Sequence, residues 1–261
     1  MKPIALSIAG SDPSGGAGIQ ADLKTFHQFG VYGEAALTLL TVQNTAEVAE
    51  VLTLEPDFVA AQVRAVLADV PPHAIKTGAL GNAGIIRAVA LLMAEVRRPL
   101  VVDPVIISKH GASLLAEQAR GVLLAELLPL ATVITPNLME AWALTGITAD
   151  SPETMRDAAR ALYQKTGAAV FIKGGHLTGA ALDLLFDGEA FHEYVSERLW
   201  TPNTHGTGCT CSAAITACLA IGLNLPEAVA RAKSYITEAI RTNPGLGHGA
   251  GPVNHHASTA M

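Results

Sequence analysis

The stretch Ile4-Ala-Leu-Ser-Ile-Ala-Gly-Ser-Asp-Pro-Ser-Gly-Gly-Ala-Gly18 opens the chain and leads into Ile19-Gln-Ala-Asp-Leu-Lys24. Its first six residues form a short, mostly aliphatic and uncharged run, which is typical of a buried strand. Four glycines then follow within nine residues, before an amphipathic segment begins. The stretch therefore predicts a strand, a glycine-rich loop and a helix in direct succession.

The same order repeats along the rest of the chain. We predict further buried strands at Ala35–Val42, Ala74–Lys76, Leu100–Asp103, Thr132–Thr135 and Ala169–Lys173. We predict helices at Ala17–Phe29, Pro56–Ala68, Ala83–Val96, Leu114–Leu127, Leu138–Leu144, Glu153–Thr166, Gly208–Ile221 and Pro226–Thr242. Leu182–Phe186 and Glu189–Tyr194 flank Asp187-Gly188, which is a hairpin signal. The alternation predicts an α/β fold with a mostly parallel sheet covered by helices on both faces, in one domain over residues 1–261.

Composition excludes several classes of protein. The chain has 261 residues, 50% of them hydrophobic, with 17 Lys and Arg against 23 Asp and Glu. That apolar fraction excludes a mainly disordered chain. The absence of any run of Lys and Arg disfavours nucleic acid as a partner.

A membrane role is also disfavoured, although the mean hydropathy of +0.35 raises the question. Thr201–Pro226 has no charged residue, but polar residues and glycines interrupt it too often for a spanning helix. The apolar run near the N-terminus is too short for a signal peptide. Cys209, Cys211 and Cys218 form an odd, clustered set, which favours a reducing cytoplasm over a disulfide framework.

Ligands of open α/β sheets bind at the carboxyl ends of the strands, so the residues that follow each strand are the candidates for a site. The loop from Gly10 to Gly18 is either a tight turn or a place where bare backbone approaches a ligand. It lacks the Lys-Ser/Thr of a phosphate-binding P-loop and the spacing of a dinucleotide fingerprint. Gln43, which follows the second strand, either caps a turn or offers a donor and an acceptor to a heterocycle.

Three further strand ends carry charged or amide side chains. Asp103 either caps the next segment or holds a metal or its water, and Ile106–Ala112 behind it is a candidate lid. Asn137 and Glu140 are three residues apart, a spacing that suits either hydrated Mg²⁺ or a capping box. Lys173, in Lys173-Gly-Gly-His176, either reaches solvent or contacts a phosphate.

The most informative motif is Asn203-Thr-His-Gly-Thr-Gly-Cys-Thr-Cys-Ser-Ala-Ala214. Gly206, Thr207 and Gly208 directly precede an apolar helix, so their N–H groups and the helix dipole can stabilise a phosphoryl group in transfer. Cys209 lies at the helix N-terminus, where the pKa of a thiol is lowered, and it is a candidate base for a substrate hydroxyl. The three cysteines lack the spacing of a metal site, and Cys211 and Cys218 suit a packed core.

Together these motifs resemble the hydroxymethylpyrimidine/phosphomethylpyrimidine kinase family of thiamine biosynthesis, in the ribokinase-like superfamily. The resemblance rests on GSDPSGGAGIQADLKTF, VVDPV, TPNLMEA, KGGH, THGTGCT and PGLGHGAGPVNH, which run from Gly10 to His255. It implies a ribokinase-like α/β/α sandwich, the cofactors ATP and Mg²⁺, and a homodimer. It also implies phosphorylation of 4-amino-5-hydroxymethyl-2-methylpyrimidine and then of its monophosphate.

The resemblance also implies roles for individual residues. Cys209 matches the catalytic base, and Gly206, Thr207 and Gly208 match the anion hole. The residues that match the substrate pocket are Gln43, Asp22, Ala17, Gly10 and Val105. Those that match positions around the ATP phosphates are Asp103, Lys173 and Lys233, and those that match the metal-associated pattern are Asn137 and Glu140.

Two departures and two alternatives accompany the resemblance. Ala79 stands where many members carry Met, which affects the shape of the pocket, and Cys211 stands where an aliphatic residue is common. A pyridoxal kinase, or a kinase with both activities, is the alternative within the superfamily. A regulator that binds a nucleotide or thiamine precursor without catalysis is the alternative from another class.

Overall fold

The structure, a computed structural model, describes residues 2–106, 114–175 and 181–259. Most of the candidate lid at Ile106–Ala112 and His176 of the Lys173 motif lie outside the described residues. Within those ranges the strands are β1 Ile4–Ser11, β2 Tyr32–Gln43, β3 Val48–Thr53, β4 Ala74–Thr77, β5 Leu100–Val102, β6 Val133–Ile134, β7 Ala169–Lys173, β8 Ala181–Phe186 and β9 Phe191–Ser196. The α-helices are α1 Gly18–Gln28, α2 Pro56–Asp69, α3 Ala83–Glu95, α4 Ala119–Val122, α5 Leu138–Thr145, α6 Pro152–Thr166, α7 Thr207–Ala220 and α8 Leu225–Arg241.

These strands form one sheet in the order β3-β2-β1-β4-β5-β6-β7-β8-β9. The six central strands, in the order β2-β1-β4-β5-β6-β7, are parallel to one another, whereas β3 at one edge and β8 and β9 at the other pair antiparallel. The predicted mostly parallel sheet and the predicted hairpin are therefore confirmed. Because the central strands are parallel, their carboxyl ends all meet at the same edge of the sheet.

Helices pack on both faces of the sheet. One apolar core holds Leu6, Ile8 and Ile75 against the helices from α2 to α6. On the opposite face, Val101 and Phe171 pack beneath helices α7 and α8. The structure thus has the predicted three layers. No helix in the described part of the chain is long and apolar enough to cross a membrane.

Two elements differ from the sequence-based prediction. Strand β3 was not predicted, because this edge strand is half-exposed along its length and lacks the apolar run of a buried strand. The single helix predicted at Leu114–Leu127 is instead the short α4, a π-helical turn at Leu123–Leu127 and a 3₁₀ turn at Leu128–Leu130. The first residues of the predicted helix do not join it, because the backbone N–H groups of Leu114 and Ala116 donate to the carbonyl oxygens of Ile106 and Gly81.

Candidate active site

A cavity of about 640 Å³ opens at the carboxyl ends of the parallel strands, beside the N-terminus of α7. Every residue predicted for the site lines it, with the exception of Asp22. The lining residues that the sequence singled out are Gly10, Ala17, Gln43, Asp103, Val105, Asn137, Glu140, Lys173, Gly206, Thr207, Gly208, Cys209 and Lys233. The topology therefore brings together side chains that are spread over more than two hundred residues of sequence.

Gly206 joins the loop to α7 in a conformation that requires glycine. Its φ is 77°, in the left-handed region, and a Cβ atom at this position would lie 1.8 Å from the carbonyl oxygen of Gly16. The close approach packs the turn before α7 against the glycine-rich loop after β1. The first residues of α7 and the bare backbone of that loop consequently face the same space, as an anion-binding site requires.

Cys209 is the third residue of α7, and its surroundings do not lower the pKa of its thiol. Burial raises that pKa to about 11, and the carboxylates of Asp22 and Asp103 act in the same direction. The Lys76 ammonium and the N–H of Gly18 act in the opposite direction but are outweighed. The expectation of a lowered thiol pKa was therefore wrong for the protein without ligands, because burial outweighs the Lys76 ammonium and the Gly18 N–H.

Asp22 and Lys76 form a buried ion pair behind the cavity wall. The Nζ of Lys76 lies 2.8 and 2.9 Å from the two carboxylate oxygens of Asp22, and Ser7 Oγ donates to Asp22 Oδ2 at 2.6 Å. Neither member of the ion pair is exposed at all. Lys76 lines the cavity, whereas Asp22 does not. The resemblance implies a place for Asp22 in the substrate pocket, and in the structure Asp22 lies behind the cavity wall, where it holds the lysine that faces the cavity.

Asp103 is the centre of a second buried network. Its Oδ1 accepts from Lys173 Nζ at 2.9 Å and from Thr135 Oγ1 at 3.2 Å, and its Oδ2 accepts from Ser212 Oγ at 3.1 Å. Burial alone would raise the pKa of Asp103, but the Lys173 and Lys76 ammonium groups hold it below its usual value. A Cβ on Gly208 would lie 3.2 Å from Lys173 Nζ, so this ammonium stands directly over the start of α7.

Asn137 and Glu140 form the capping box of α5. Glu140 N–H donates to Asn137 Oδ1 at 2.9 Å, and Asn137 N–H donates to Glu140 Oε2 at 2.8 Å. Burial and Asp103 raise the pKa of Glu140 to about 7, although Lys173 opposes them. The structure thus forms the capping alternative that the spacing left open, and both side chains still line the cavity.

These contacts show what kind of magnesium site the residues around Glu140 can form. Among the described residues no three His, Cys, Asp or Glu side chains are grouped as a metal site. Mg²⁺ keeps several waters and often takes only one or two carboxylates beside substrate phosphates. Glu140 has lone pairs beyond those that accept N–H groups and faces the cavity. These residues therefore fit a hydrated ion and not a closed protein cage.

Lys233, on α8, is also held by a carboxylate. Its Nζ lies 2.8 Å from Asp183 Oδ2 and 3.2 Å from the carbonyl oxygen of Ala181. The other oxygen of Asp183 accepts the backbone N–H of Gly174 at 2.8 Å. This pair lies on the β8 side of the cavity, so three lysines from separate elements face one space, each paired to an aspartate.

Sequence reasoning missed His205 and Asp12, two buried residues that also line the cavity. Their Nε2 and Oδ2 atoms lie 2.7 Å apart, and Gln43 Nε2 lies 3.3 Å from the same ring nitrogen. Asp12 and His205 are 193 residues apart in sequence, so no local spacing could connect them. The available signal was their position inside two glycine-rich motifs that were both predicted to form the site.

Residues 12–254 match a family model described as phosphomethylpyrimidine kinase, which is nearly the whole chain. The chain belongs to the phosphomethylpyrimidine kinase family. The hydroxymethylpyrimidine/phosphomethylpyrimidine kinase of Synechococcus elongatus is 47% identical over 255 residues, 97% of each chain. The thiamine biosynthesis bifunctional protein ThiED of Geobacter sulfurreducens is 52% identical over 252 residues, 96% of this chain but 51% of that protein, so this chain spans about half its length.

A solved structure supports the assignment of the fold. The ADP complex of Bacillus subtilis pyridoxal kinase is 41% identical and has a TM-score of 0.92, with 98% of each chain covered. This phosphomethylpyrimidine kinase family member therefore has the ribokinase-like three-layer sandwich that the resemblance implied. Family membership identifies the chain as a kinase, and the arrangement of the cavity bears on what it phosphorylates.

Proposed function

We propose that this chain, as a single kinase domain, phosphorylates 4-amino-5-hydroxymethyl-2-methylpyrimidine and then its monophosphate, with ATP as donor. One observation carries the proposal. A single cavity joins Gln43, which suits a heterocycle edge, to the start of α7 and to the Lys173–Asp103 pair, which suits phosphate. The names of the full-length and bifunctional relatives support the same substrate.

Catalysis in this arrangement is mainly positioning and stabilisation of charge. Lys173 contacts the transferred phosphoryl group, and Asp103 holds the ammonium in place through a buried contact. The N–H groups of Gly206, Thr207 and Gly208 stabilise the negative charge that develops on the phosphoryl oxygens. Glu140 and Asn137 would hold a hydrated Mg²⁺, which would neutralise charge on the nucleotide phosphates.

Cys209 accepts the proton of the substrate hydroxyl in this proposal. Because burial raises the pKa of its thiol to about 11, Cys209 is protonated at neutral pH before ligands bind. Only the thiolate can accept a proton, so the base role requires that the thiol first give its own proton to water as the site fills. Lys76 is the cation that favours the thiolate, since its ammonium lowers the pKa of the Cys209 thiol, against burial and the carboxylates of Asp22 and Asp103.

Pyridoxal is a second candidate substrate, because a pyridoxal kinase shares the fold and 41% of the sequence. The proposal further includes a homodimer and a cytoplasmic location, the latter supported by three free cysteines. A coupled assay of ADP formation tests the proposal. We expect turnover with the pyrimidine and with its monophosphate, and the absence of turnover with both would overturn it.

A further inference from the structure

Asp183, on β8, contacts two parts of the chain that face the proposed phosphate site. Its Oδ2 accepts from Lys233 Nζ on α8 at 2.8 Å, and its Oδ1 accepts the backbone N–H of Gly174 at 2.8 Å. Gly174 directly follows Lys173, whose ammonium stands over the start of α7. One carboxylate therefore joins helix α8 to the end of strand β7.

The register of the sheet places this carboxylate. Asp183 lies directly opposite Lys173 in the antiparallel pair of β7 and β8. Residues opposite each other in such a pair have their side chains on the same face of the sheet. Phe171 and Leu185 lie on that face and pack beneath α7 and α8. The side chains of Lys173 and Asp183 consequently lie on the side of the sheet from which α8 presents Lys233.

The backbone at the end of β7 packs closely against β8 around Asp183. A Cβ atom on Gly174 would lie 2.2 Å from the carbonyl oxygen of Leu182. The next carbonyl oxygen, that of Gly175, accepts from Arg198 Nη1 at 2.6 Å. The Asp183 side chain is buried, with 6% of the residue exposed. Loss of its carboxylate would leave the Gly174 N–H buried without its acceptor, which is costly, so the end of β7 would shift.

The same carboxylate fixes the direction of the Lys233 ammonium group. An ammonium group has three protons to donate. In the described part of the chain one goes to Asp183 Oδ2 at 2.8 Å and one to the carbonyl oxygen of Ala181 at 3.2 Å. Lys233 lines the cavity, so the third proton is available to a ligand there. Because two of the three directions are set by the protein, the third is set as well.

Both lysines lie near one buried residue of α7, Cys211. Burial and the Asp183 carboxylate raise the pKa of the Cys211 thiol to about 12, while the Lys173 and Lys233 ammonium groups act in the opposite direction. Cys211 lines the cavity together with both lysines. Two ammonium groups in one region of a cavity suit a polyanion such as the phosphates of a nucleotide.

We propose that Asp183 is a positioning residue that sets where Lys173 and Lys233 stand relative to each other, so that both ammonium groups meet the phosphates of ATP. This inference rests on the proposed function, in which ATP is the phosphoryl donor. A carboxylate that merely faced the cavity would repel the phosphates, and its removal would tighten the binding of ATP. A carboxylate that positions the two lysines has the opposite effect, since its removal weakens the binding of ATP.

The test measures the affinity of Asp183→Ala for ATP by calorimetry, with Mg²⁺ and without an acceptor substrate. We expect the Kd for ATP to rise about tenfold, which corresponds to one lost hydrogen bond to a charged group. The KM for ATP should rise with it, whereas the KM for the pyrimidine should stay the same, because Gln43 lies on β2, at the opposite side of the parallel strands from β7. Unchanged or tighter binding of ATP would overturn the inference. A lower kcat with both KM values unchanged would also overturn it, since a purely structural role gives that result.

Asp183→Asn separates the two contacts of the carboxylate. The amide oxygen can still accept the N–H of Gly174, but the NH₂ group faces Lys233, where donor meets donor. We expect the Kd for ATP to rise less than in Asp183→Ala, because one of the two contacts remains. A rise as large as in Asp183→Ala would mean that the contact with Gly174 contributes nothing, and would overturn the inference. If Asp183→Ala does not fold, Asp183→Asn carries the test, and wild-type affinity in it would overturn the inference.

Asp187→Ala is the matched control, just beyond the other end of β8. Asp187 Oδ1 accepts the backbone N–H groups of Glu189 and Ala190, and Asp187 Oδ2 lies 2.7 Å from His192 Nε2. Asp187 thus makes the same kinds of contact as Asp183, but it is not among the described residues that line the cavity. We expect the affinity of this variant for ATP to equal that of the wild type. An equal loss in both variants would attribute the effect to the hairpin as a whole and overturn the inference.

Calorimetry also separates this inference from the proposed function, because it requires no acceptor. A wild-type protein that binds ATP but does not phosphorylate the pyrimidine would contradict the proposed function alone. Wild-type affinity for ATP in Asp183→Ala would contradict the inference alone, even if the wild-type protein phosphorylates the pyrimidine.

Discussion

Lys76 Nζ donates to both carboxylate oxygens of Asp22, at 2.8 and 2.9 Å, and neither side chain reaches solvent. The strand β4 supplies the lysine and the helix α1 supplies the aspartate, so the pair links the sheet to the helix that follows the glycine-rich loop. A buried charge is tolerated only when it is paired and hydrogen-bonded. The pair therefore stabilises the fold behind the cavity and presents an ammonium group towards Cys209.

Removal of one member of this pair should destabilise the protein strongly. We expect Lys76→Met to lower the free energy of unfolding by about 3–5 kcal/mol, because it leaves the Asp22 carboxylate buried without a counter-ion. The double variant Lys76→Met/Asp22→Asn should be more stable than the single variant, since the amide carries no charge and still accepts from Ser7. Urea denaturation of the three proteins measures the difference.

Arg87→Met is the matched control for the ion pair. Arg87 and Glu126 are both largely exposed and lie 3.2 Å apart. We expect the loss of this exposed ion pair to lower the free energy of unfolding by less than about 1 kcal/mol, as for other surface pairs. If Lys76→Met lowers the free energy of unfolding as little as Arg87→Met does, the stabilising role of the buried pair is contradicted.

The thiol of Cys209 should be protonated in the protein without ligands. Its pKa is about 11, so alkylation by iodoacetamide should be slow at neutral pH and should rise as the pH approaches that value. Mass spectrometry identifies the modified cysteine. Fast alkylation of Cys209 at neutral pH would contradict the raised pKa.

Replacement of the same residue tests its role as the base. We expect Cys209→Ala to lower kcat by at least about a hundredfold while ATP binding is retained, because a positioned base contributes that much or more. Cys218→Ala is the control, since Cys218 is buried in the core and does not line the cavity. Equal kcat in Cys209→Ala and wild type would remove Cys209 as the base.

Gly206 should tolerate no side chain. We expect Gly206→Ala to lose stability and nearly all activity, because the new Cβ would meet the carbonyl oxygen of Gly16 at 1.8 Å. Gly222→Ala is the matched control, since Gly222 also has a positive φ, 92°, but a Cβ there would meet no atom within 4 Å. Thermal denaturation and the ADP assay compare the two. Equal losses in both variants would attribute the effect to backbone strain alone and not to the close approach of the two loops.

Glu140 should make stability depend on pH. Its pKa in the folded protein is about 7 against an ordinary value of 4.5, so the folded state binds more protons than the unfolded state between these values. The free energy of unfolding contributed by this group is therefore highest below pH 4.5 and falls as the pH rises through about 7. We expect Glu140→Gln to become more stable relative to the wild type across this interval.

The control for the pH dependence is Glu117→Gln, which makes the same change in formal charge at an exposed position. Denaturation curves at several pH values give the difference in free energy for each variant. A difference between Glu140→Gln and wild type that does not vary with pH would contradict the raised pKa.

The sequence predicted the layers of the fold and most of the cavity lining, because both follow from local patterns. Short aliphatic runs end at polar residues, and parallel strands bring those ends together. The pairs Lys76–Asp22 and His205–Asp12 could not be predicted in this way, since each joins residues far apart in the chain. The Asn137–Glu140 spacing was compatible with two structures, and only the contacts of the folded chain distinguish them. The pKa of Cys209 depends on burial, which the position at a helix terminus does not reveal.

One cavity is proposed to carry out two successive phosphorylations of a pyrimidine. The most direct measurement follows the products by ³¹P NMR while the purified protein acts on the hydroxymethylpyrimidine with ATP and Mg²⁺. A parallel reaction contains pyridoxal instead of the pyrimidine. We predict a phosphomonoester signal that is replaced by a diphosphate signal, and a slower reaction with pyridoxal. A reaction with pyridoxal alone, or no phosphorylated pyrimidine at all, would contradict the proposed function.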